Sequence, residues 1–173
     1  MEKHPSSQGL LKLFAFYKEL AERALAQVKD EDLHRVLGED GNSVAVLMQH
    51  IAGNLRSRFT DFLSSDGEKP WRDRDGEFAE TTTGRTALVE DWNAGWAVFF
   101  LEVGSLTEAD MQRMVLIRNE AHTVLDALHR QLAHYAYHVG QVVLLARAFV
   151  GAEWVSLSVP RGGSKRFNAQ HGL

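Results

Sequence analysis

The sequence predicts an all-α fold: a four-helix bundle with a long crossover between helices two and three and a short β-hairpin before helix four. Three observations carry this. Four long segments place apolar residues at three- and four-residue steps, the period of a helix with one buried face. The connection from Ser64 to Gly84 is long and rich in charge and turn residues. The 173 residues, 45% hydrophobic and 24% charged, suit one globular domain over 1–173 that buries roughly 70% of its unfolded surface.

Helix one is predicted to start after Ser6-Ser7 and run to about Val28, with Leu10, Phe14, Tyr17, Ala21 and Ala24 on its apolar face. A polar stretch with Gly38 and Gly41 separates it from helix two. Ser43 is a natural N-cap for helix two. That helix is expected to reach about Leu63, with Val44, Met48, Ile51, Leu55, Phe59 and Phe62 as its stripe. The crossover follows and keeps Trp71 and Phe78 among its charges. Fully extended, it spans up to roughly 70 Å, against roughly 30 Å for a helix of about 20 residues. It is therefore long enough to run back along the bundle and make helices two and three parallel.

Helix three fits Thr86 to Val103, with Leu88, Trp92, Trp96, Phe99 and Phe100 as its apolar side. In "LTEADM", Thr107 and Asp110 have the spacing of a capped helical turn. The β-branched residues of "MQRMVLIRNEAHTV", with "RNEA" as a turn, suggest the hairpin. Helix four runs from about Thr123 to Val150, and an irregular tail covers 151–173.

A net charge of −4 and a pI near 6.0 give no electrostatic reason to expect nucleic acid or an anionic membrane as partner. The absence of cysteine excludes disulfides, thiolate metal sites and a cysteine nucleophile. Any thiol chemistry would use the thiol of a bound small molecule. The N-terminus lacks the features of a signal peptide, and the longest apolar stretch, "QVVLLARAFV", is too short to span a bilayer. A cytoplasmic protein is expected.

The chemistry concentrates in "HYAYHVGQ". His134 and His138 stand at i and i+4, so their rings leave one face of helix four about 6 Å apart at their bases. That geometry suits a shared cation. It equally suits two core histidines bonded to neighbours such as Tyr135 or Tyr137, and the spacing alone leaves both readings open. Gln131 and Gln141 share the face and are the kind of group that orients metal-bound imidazoles. A third ligand must come from another helix. His50, in mid-helix within "VAVLMQHIAGNL", is the best placed, with Asn54, Ser57 and Asp61 continuing the line. The alternative for that line is a solvated helix face. His122 also competes; His129 points away, and His4, His34 and His171 read as surface residues.

Together, "LMQHIAGN" and "HYAYHVGQ" resemble the DinB/YfiT-like superfamily of metalloenzymes. There, one histidine of the second helix and an H-x3-H pair of the last bind a divalent metal. His50, His134 and His138 match those positions. The stretches "GNLRSRFTDFLSSDGEKPWRDRDGEF" and "WVSLSVPRGGSKRFN" are similar to an uncharacterised bacterial subgroup, so the resemblance covers nearly the whole chain. It implies a bundle with a crossover, zinc or nickel on three imidazoles, an open coordination position and frequent homodimerisation. It further implies activation of a low-molecular-weight thiol, or of water, for transfer to or hydrolysis of a small molecule. The alternative is a non-enzymatic bundle that binds a metal or small ligand in a stress-related role.

Asn54, Arg58, Gln141 and Arg161 are candidate substrate contacts, Arg58 having Asp61 as the competing partner. Arg161 and Ser164 lie in a Gly-rich segment long enough to fold over the site, with a plain surface loop as the alternative. No catalytic residue is assigned. Trp71, Trp92, Trp96 and Trp154 read as core or loop packing. The mixed charges of "DGEKPWRDRDGEF" predict a solvated, salt-bridged loop. Gly140 costs roughly 1 kcal/mol in a helix interior, so close approach of another helix or a ligand is expected there.

Overall fold

A computed structural model describes residues 5–79, 82–170 and 172. Four long helices form the bundle: α1 (Pro5–Leu25), α2 (Val44–Phe59), α3 (Arg85–Ser105) and α4 (Val124–Val150). A two-stranded antiparallel hairpin, β1 (Met114–Ile117) and β2 (Glu120–Thr123), precedes α4. The fold is the all-α bundle with a short hairpin that the sequence predicts. Among the described residues no helix is long and apolar enough to cross a membrane.

Side-chain pairs fix the helix directions. Phe14 meets Phe99 while Trp92 Nε1 donates to Glu22, so α1 and α3 are antiparallel. Gly95 lies against Ala52 and Phe59 against Phe99, so α2 and α3 run parallel. His50 faces His138 while Asn54 faces Gln131, which makes α2 and α4 antiparallel. Residues 60–84 carry the chain back between the two parallel helices. Phe14, Trp92, Trp96, Phe99 and Tyr135 fill the centre, all at most 1% exposed, with edge-on ring contacts such as Phe14–Trp96 and Trp96–Tyr135.

Several boundaries shift for local reasons. α1 begins at Pro5, where a fixed φ suits a first helical turn. It ends at Leu25, after which Gln27 and Val28 tighten into three-residue turns, and Val28 is still buried. α2 stops at Phe59 because the chain reverses at Asp61, a left-handed residue at φ 51°. Phe62 nevertheless folds back onto Phe59 at 5.0 Å. Ser43 caps α2 through Val46 N, and Thr123 caps α4 through Asp126 N. Asp110 accepts from the backbone and hydroxyl of Thr107, as the spacing predicts.

The hairpin turn is Arg118-Asn119, both at positive φ (55° and 62°), the two-residue turn that matches strand twist. Asp66 of the crossover accepts from both backbone N–H groups of that turn, and Gly67 N donates to Leu116 O. The hairpin thus anchors the start of the crossover.

The tail is not wholly irregular: Ser164–Gln170 form a short exposed helix, α5. Gln27 exchanges two hydrogen bonds with the backbone of Val155, which ties the tail to the end of α1. Trp71 is 57% exposed rather than packed. Gly140 is also exposed, and a Cβ there meets nothing within 4 Å, so the expected close approach is absent. Close approach occurs instead at Gly95, where a Cβ would stand 2.9 Å from Ala52 O.

These two glycines make opposite predictions. Gly140→Ala is expected to stabilise the protein by up to about 1 kcal/mol, and Gly95→Ala to destabilise it by about 1–3 kcal/mol. Urea denaturation reads both, and a stabilised Gly95→Ala would contradict the packing of α2 on α3.

Candidate metal centre

α2 and α4 bring His50, His134 and His138 together. His134 Nε2 is 3.2 Å from His50 Nε2 and 3.0 Å from His138 Nε2. Nitrogens about 2.0–2.1 Å from one tetrahedral centre stand roughly 3.3 Å apart; both of these spacings are close to that, and the three residues' ligand atoms all lie within 4.8 Å of one another, so the trio could hold a single ion. Among the described residues no other group of histidines and carboxylates has this geometry. His122 lies on β2 with Glu120 as its nearest carboxylate and is not part of the cluster.

The outward nitrogens explain why the inner ones are free. His50 Nδ1 donates to Glu77 Oε2 at 2.9 Å. A carboxylate only accepts, so Nδ1 carries the proton and Nε2 presents a lone pair. His138 Nδ1 is 3.0 Å from Gln141 Oε1, which sets the same tautomer. His134 Nε2 has one proton at most to share between two lone pairs. A divalent cation satisfies all three nitrogens at once, and the donor set fits zinc or nickel. Phe78 lies against the His50 ring, with centroids 4.4 Å apart.

Glu77 comes from the crossover, in the stretch expected to be solvated. It is 7% exposed instead. Arg72 holds it with two bonds of 2.8 Å, from Nε to Oε1 and from Nη2 to Oε2. Burial alone would raise the Glu77 carboxyl. The hydrogen bonds from Arg72 and His50 outweigh that and hold it below the ordinary range. Gly53 makes this docking possible, since a Cβ there would collide with the Glu77 carboxylate. Glu77, Arg72 and Gly53 are absent from the sequence-derived site. The one signal for them was a glycine inside a helix, three residues after a candidate ligand.

The other predicted residues divide. Gln141 orients His138. Gln131 bonds no histidine; its Nε2 donates to Asn54 Oδ1 at 2.6 Å and to Tyr135 Oη at 3.2 Å, and Tyr135 also donates to Asn54. Of the line below His50, Asn54 and Ser57 are buried and not solvated, whereas Asp61, past the end of α2, is exposed; Arg58 beside them is buried as well. Arg58 pairs with Glu68 at 3.3 Å and not with Asp61. Arg161 lies elsewhere: it lines a recess with Arg147 and Trp154 that shares no residue with the histidine cavity, because Gln27 draws the tail to the end of α1.

A cavity of about 210 Å³ opens on the trio and is lined by His50, His134, Asn54, Gln131 and five arginines. A larger one of about 670 Å³ lies beyond the Arg72–Glu77 pair and contains no histidine. Of these two cavities, only the smaller is lined by residues of the histidine trio.

Burial, then the neighbouring His138 and His50 rings and the Arg72 and Arg58 guanidiniums, push His134 down to about 3. Burial also lowers His138, with the Gln141 bond opposing it and His50 adding to it. Both rings are therefore neutral at pH 7, as metal binding requires.

Residues 7–163 match the model of a family described as "Protein of unknown function (DUF1572)", and the chain belongs to that family. DUF1572 lies within the DinB/YfiT-like superfamily. No curated protein matches the chain.

Two expectations follow from the geometry. Glu77→Ala frees the His50 ring and is expected to weaken divalent-metal affinity by about 10–100-fold, and Gly53→Ala, which touches no ligand, shifts it the same way. Competitive titration against a chromogenic chelator measures both; unchanged affinity in Glu77→Ala would show that His50 needs no orienting carboxylate. The second concerns pH. Folded His134 and His138 refuse protons that the unfolded chain takes up below about pH 6.5. The metal-free protein therefore loses stability as pH falls from about 6.5 towards about 3, the value to which His134 is pushed, and His134→Gln removes about one proton from that slope. Urea midpoints across the range check it, and an unchanged slope in the variant would contradict the assignment.

Proposed function

We propose that the protein is a metal-dependent enzyme in which His50, His134 and His138 hold one zinc or nickel ion and act on a small molecule entering the adjacent cavity. The observation that carries this reading is the convergence of three Nε2 atoms, two fixed as lone-pair donors by Glu77 and Gln141. A structural site would add a fourth protein ligand. Here the described residues offer three, and the cavity reaches two of them.

A divalent ion in this position supplies Lewis acidity, which lowers the pKa of a thiol or water and polarises a substrate oxygen. The chain's own residues supply the rest. Glu77 and Gln141 keep His50 and His138 in register with His134. Phe78 closes the face of His50 towards the crossover. Tyr135, Gln131 and Asn54 form a mutually hydrogen-bonded buried group beside the histidines, which braces the wall of the cavity. Burial drives the Tyr135 hydroxyl above its ordinary pKa, so it remains protonated and a donor to Asn54. With no cysteine in the chain, a thiol nucleophile would come from a low-molecular-weight cosubstrate; water is the other candidate nucleophile.

Metal analysis of the purified protein is expected to find about one divalent ion per chain, and His50→Ala or His134→Ala to remove it. Screening electrophiles with small thiols, and esters or amides without them, then separates transfer from hydrolysis. Substoichiometric metal that survives His50→Ala would refute the reading.

A further inference from the structure

We infer that the cavity binds a small substrate by a terminal oxyanion, a carboxylate or a phosphate, at a distance from the group that reacts at the histidines. The inference rests on the proposed function for where the reacting end lies; the oxyanion site stands on its own residues.

The cavity is lined by Arg58, Arg72, Arg74, Arg118 and Arg130. Among the described residues, only two carboxylates pair with these five. Glu77 takes Arg72. Glu68 is shared among Arg58 at 3.3 Å, Arg118 at 3.1 Å and Arg72 at 3.9 Å. Arg74 rests over the Phe78 ring, and Arg130 has no carboxylate in ion-pair range among the described residues. The cavity therefore carries a surplus of positive charge although the chain as a whole is negative, at −4. Such a concave, one-signed wall attracts and concentrates anions.

Arg58 is the telling residue. It is 6% exposed, yet its Nε and Nη1 have no hydrogen-bond partner. A buried guanidinium with unmade bonds is costly, and well-packed apolar residues usually serve stability as well or better. The chain nevertheless makes room for it. A Cβ at Gly67 would stand 2.9 Å from Arg58 Cδ and Nη1. Ser57 and Leu116 hold Gly67 in place through its carbonyl and its N–H. An oxyanion supplies the paired acceptors that a guanidinium fork is shaped to meet.

The cavity also has a direction. His50, Asn54 and Arg58 follow one another at four-residue steps down α2, so the guanidinium is rooted about 12 Å along the axis from the imidazole. Asn54, whose Oδ1 is committed to Gln131 and Tyr135, lies between them. On the antiparallel α4, Arg130 precedes His134 by one turn. A substrate that uses both ends has its reacting atom and its oxyanion separated by roughly 10 Å.

The test is an NMR titration of the 15N-labelled full chain, as purified and after chelation, with inorganic phosphate in one arm and succinate in the other. Saturable shifts at residues lining the cavity are expected, with the stronger arm identifying the oxyanion. Arg130→Gln and Arg58→Gln are expected to weaken binding by roughly 10–100-fold, while chelation, which empties the metal site without altering the cavity wall, leaves it in place. If Arg58→Gln fails to fold, the exposed Arg130→Gln decides. No saturable binding, or equal binding in a folded Arg130→Gln, would overturn the inference. Oxyanion binding by a chain that takes up no metal would instead overturn the proposed function and leave the oxyanion site standing.

Discussion

Glu77 reaches His50 only because several features of the chain coincide. Gly53 leaves the surface of α2 bare one turn beyond the histidine. Arg72 grips both oxygens of the carboxylate, so a charge that burial would neutralise stays ionised. Phe78, the next residue, lies on the imidazole face. Removing the glycine or the arginine would leave a buried acid without room or without a partner, and the His50 tautomer would no longer be set. The orientation of the first ligand is thus imposed by the crossover and not by the helix that carries it.

The crossover can do this because of the bundle's topology. Parallel α2 and α3 require a long return, and that return passes over the open end of the α2–α4 groove. Ser57, buried on α2, fastens it through the Gly67 carbonyl, and the hairpin fastens it through Asp66. On the other wall, α4 runs antiparallel to α2, so two ladders of polar residues meet side by side: His50 and Asn54 against His138, His134 and Gln131. Burying this many polar groups is tolerable only when nearly all are bonded. Among the described residues, three of the buried side-chain nitrogens with no hydrogen-bond partner belong to cavity arginines, Nε and Nη1 of Arg58 and Nη1 of Arg72; Trp96 Nε1 and His122 Nε2 are bare elsewhere.

Periodicity was enough to read the helices, because each buries one face and the sequence repeats accordingly. The hairpin was legible from β-branched residues around "RNEA", whose central pair adopts the positive φ that the turn needs. The histidine pair was visible as spacing and His50 as the best-placed third ligand, but family resemblance made the trio specific, since spacing within one helix says nothing about which helix faces it. The crossover is salt-bridged, as its mixed charges predict, but not wholly solvated: only the fold shows that Arg72 and Glu77 neutralise each other inside the protein. Gly140 misled because glycine in a helix was taken to mean contact, whereas Gly53 and Gly95, equally visible, are the ones in contact. Arg161 misled because a Gly-rich tail is long enough to reach many places, and the Gln27 bonds that settle its course join residues far apart in sequence.

The central claim is that the protein presets two imidazoles as lone-pair donors before any ion arrives. Long-range 1H–15N correlation NMR of the metal-free protein at neutral pH reads this directly from the histidine ring nitrogens. The account predicts that His50 and His138 each carry a proton at Nδ1 and present a bare Nε2. A proton resident on Nε2 of either ring, or a doubly protonated His138, would contradict it.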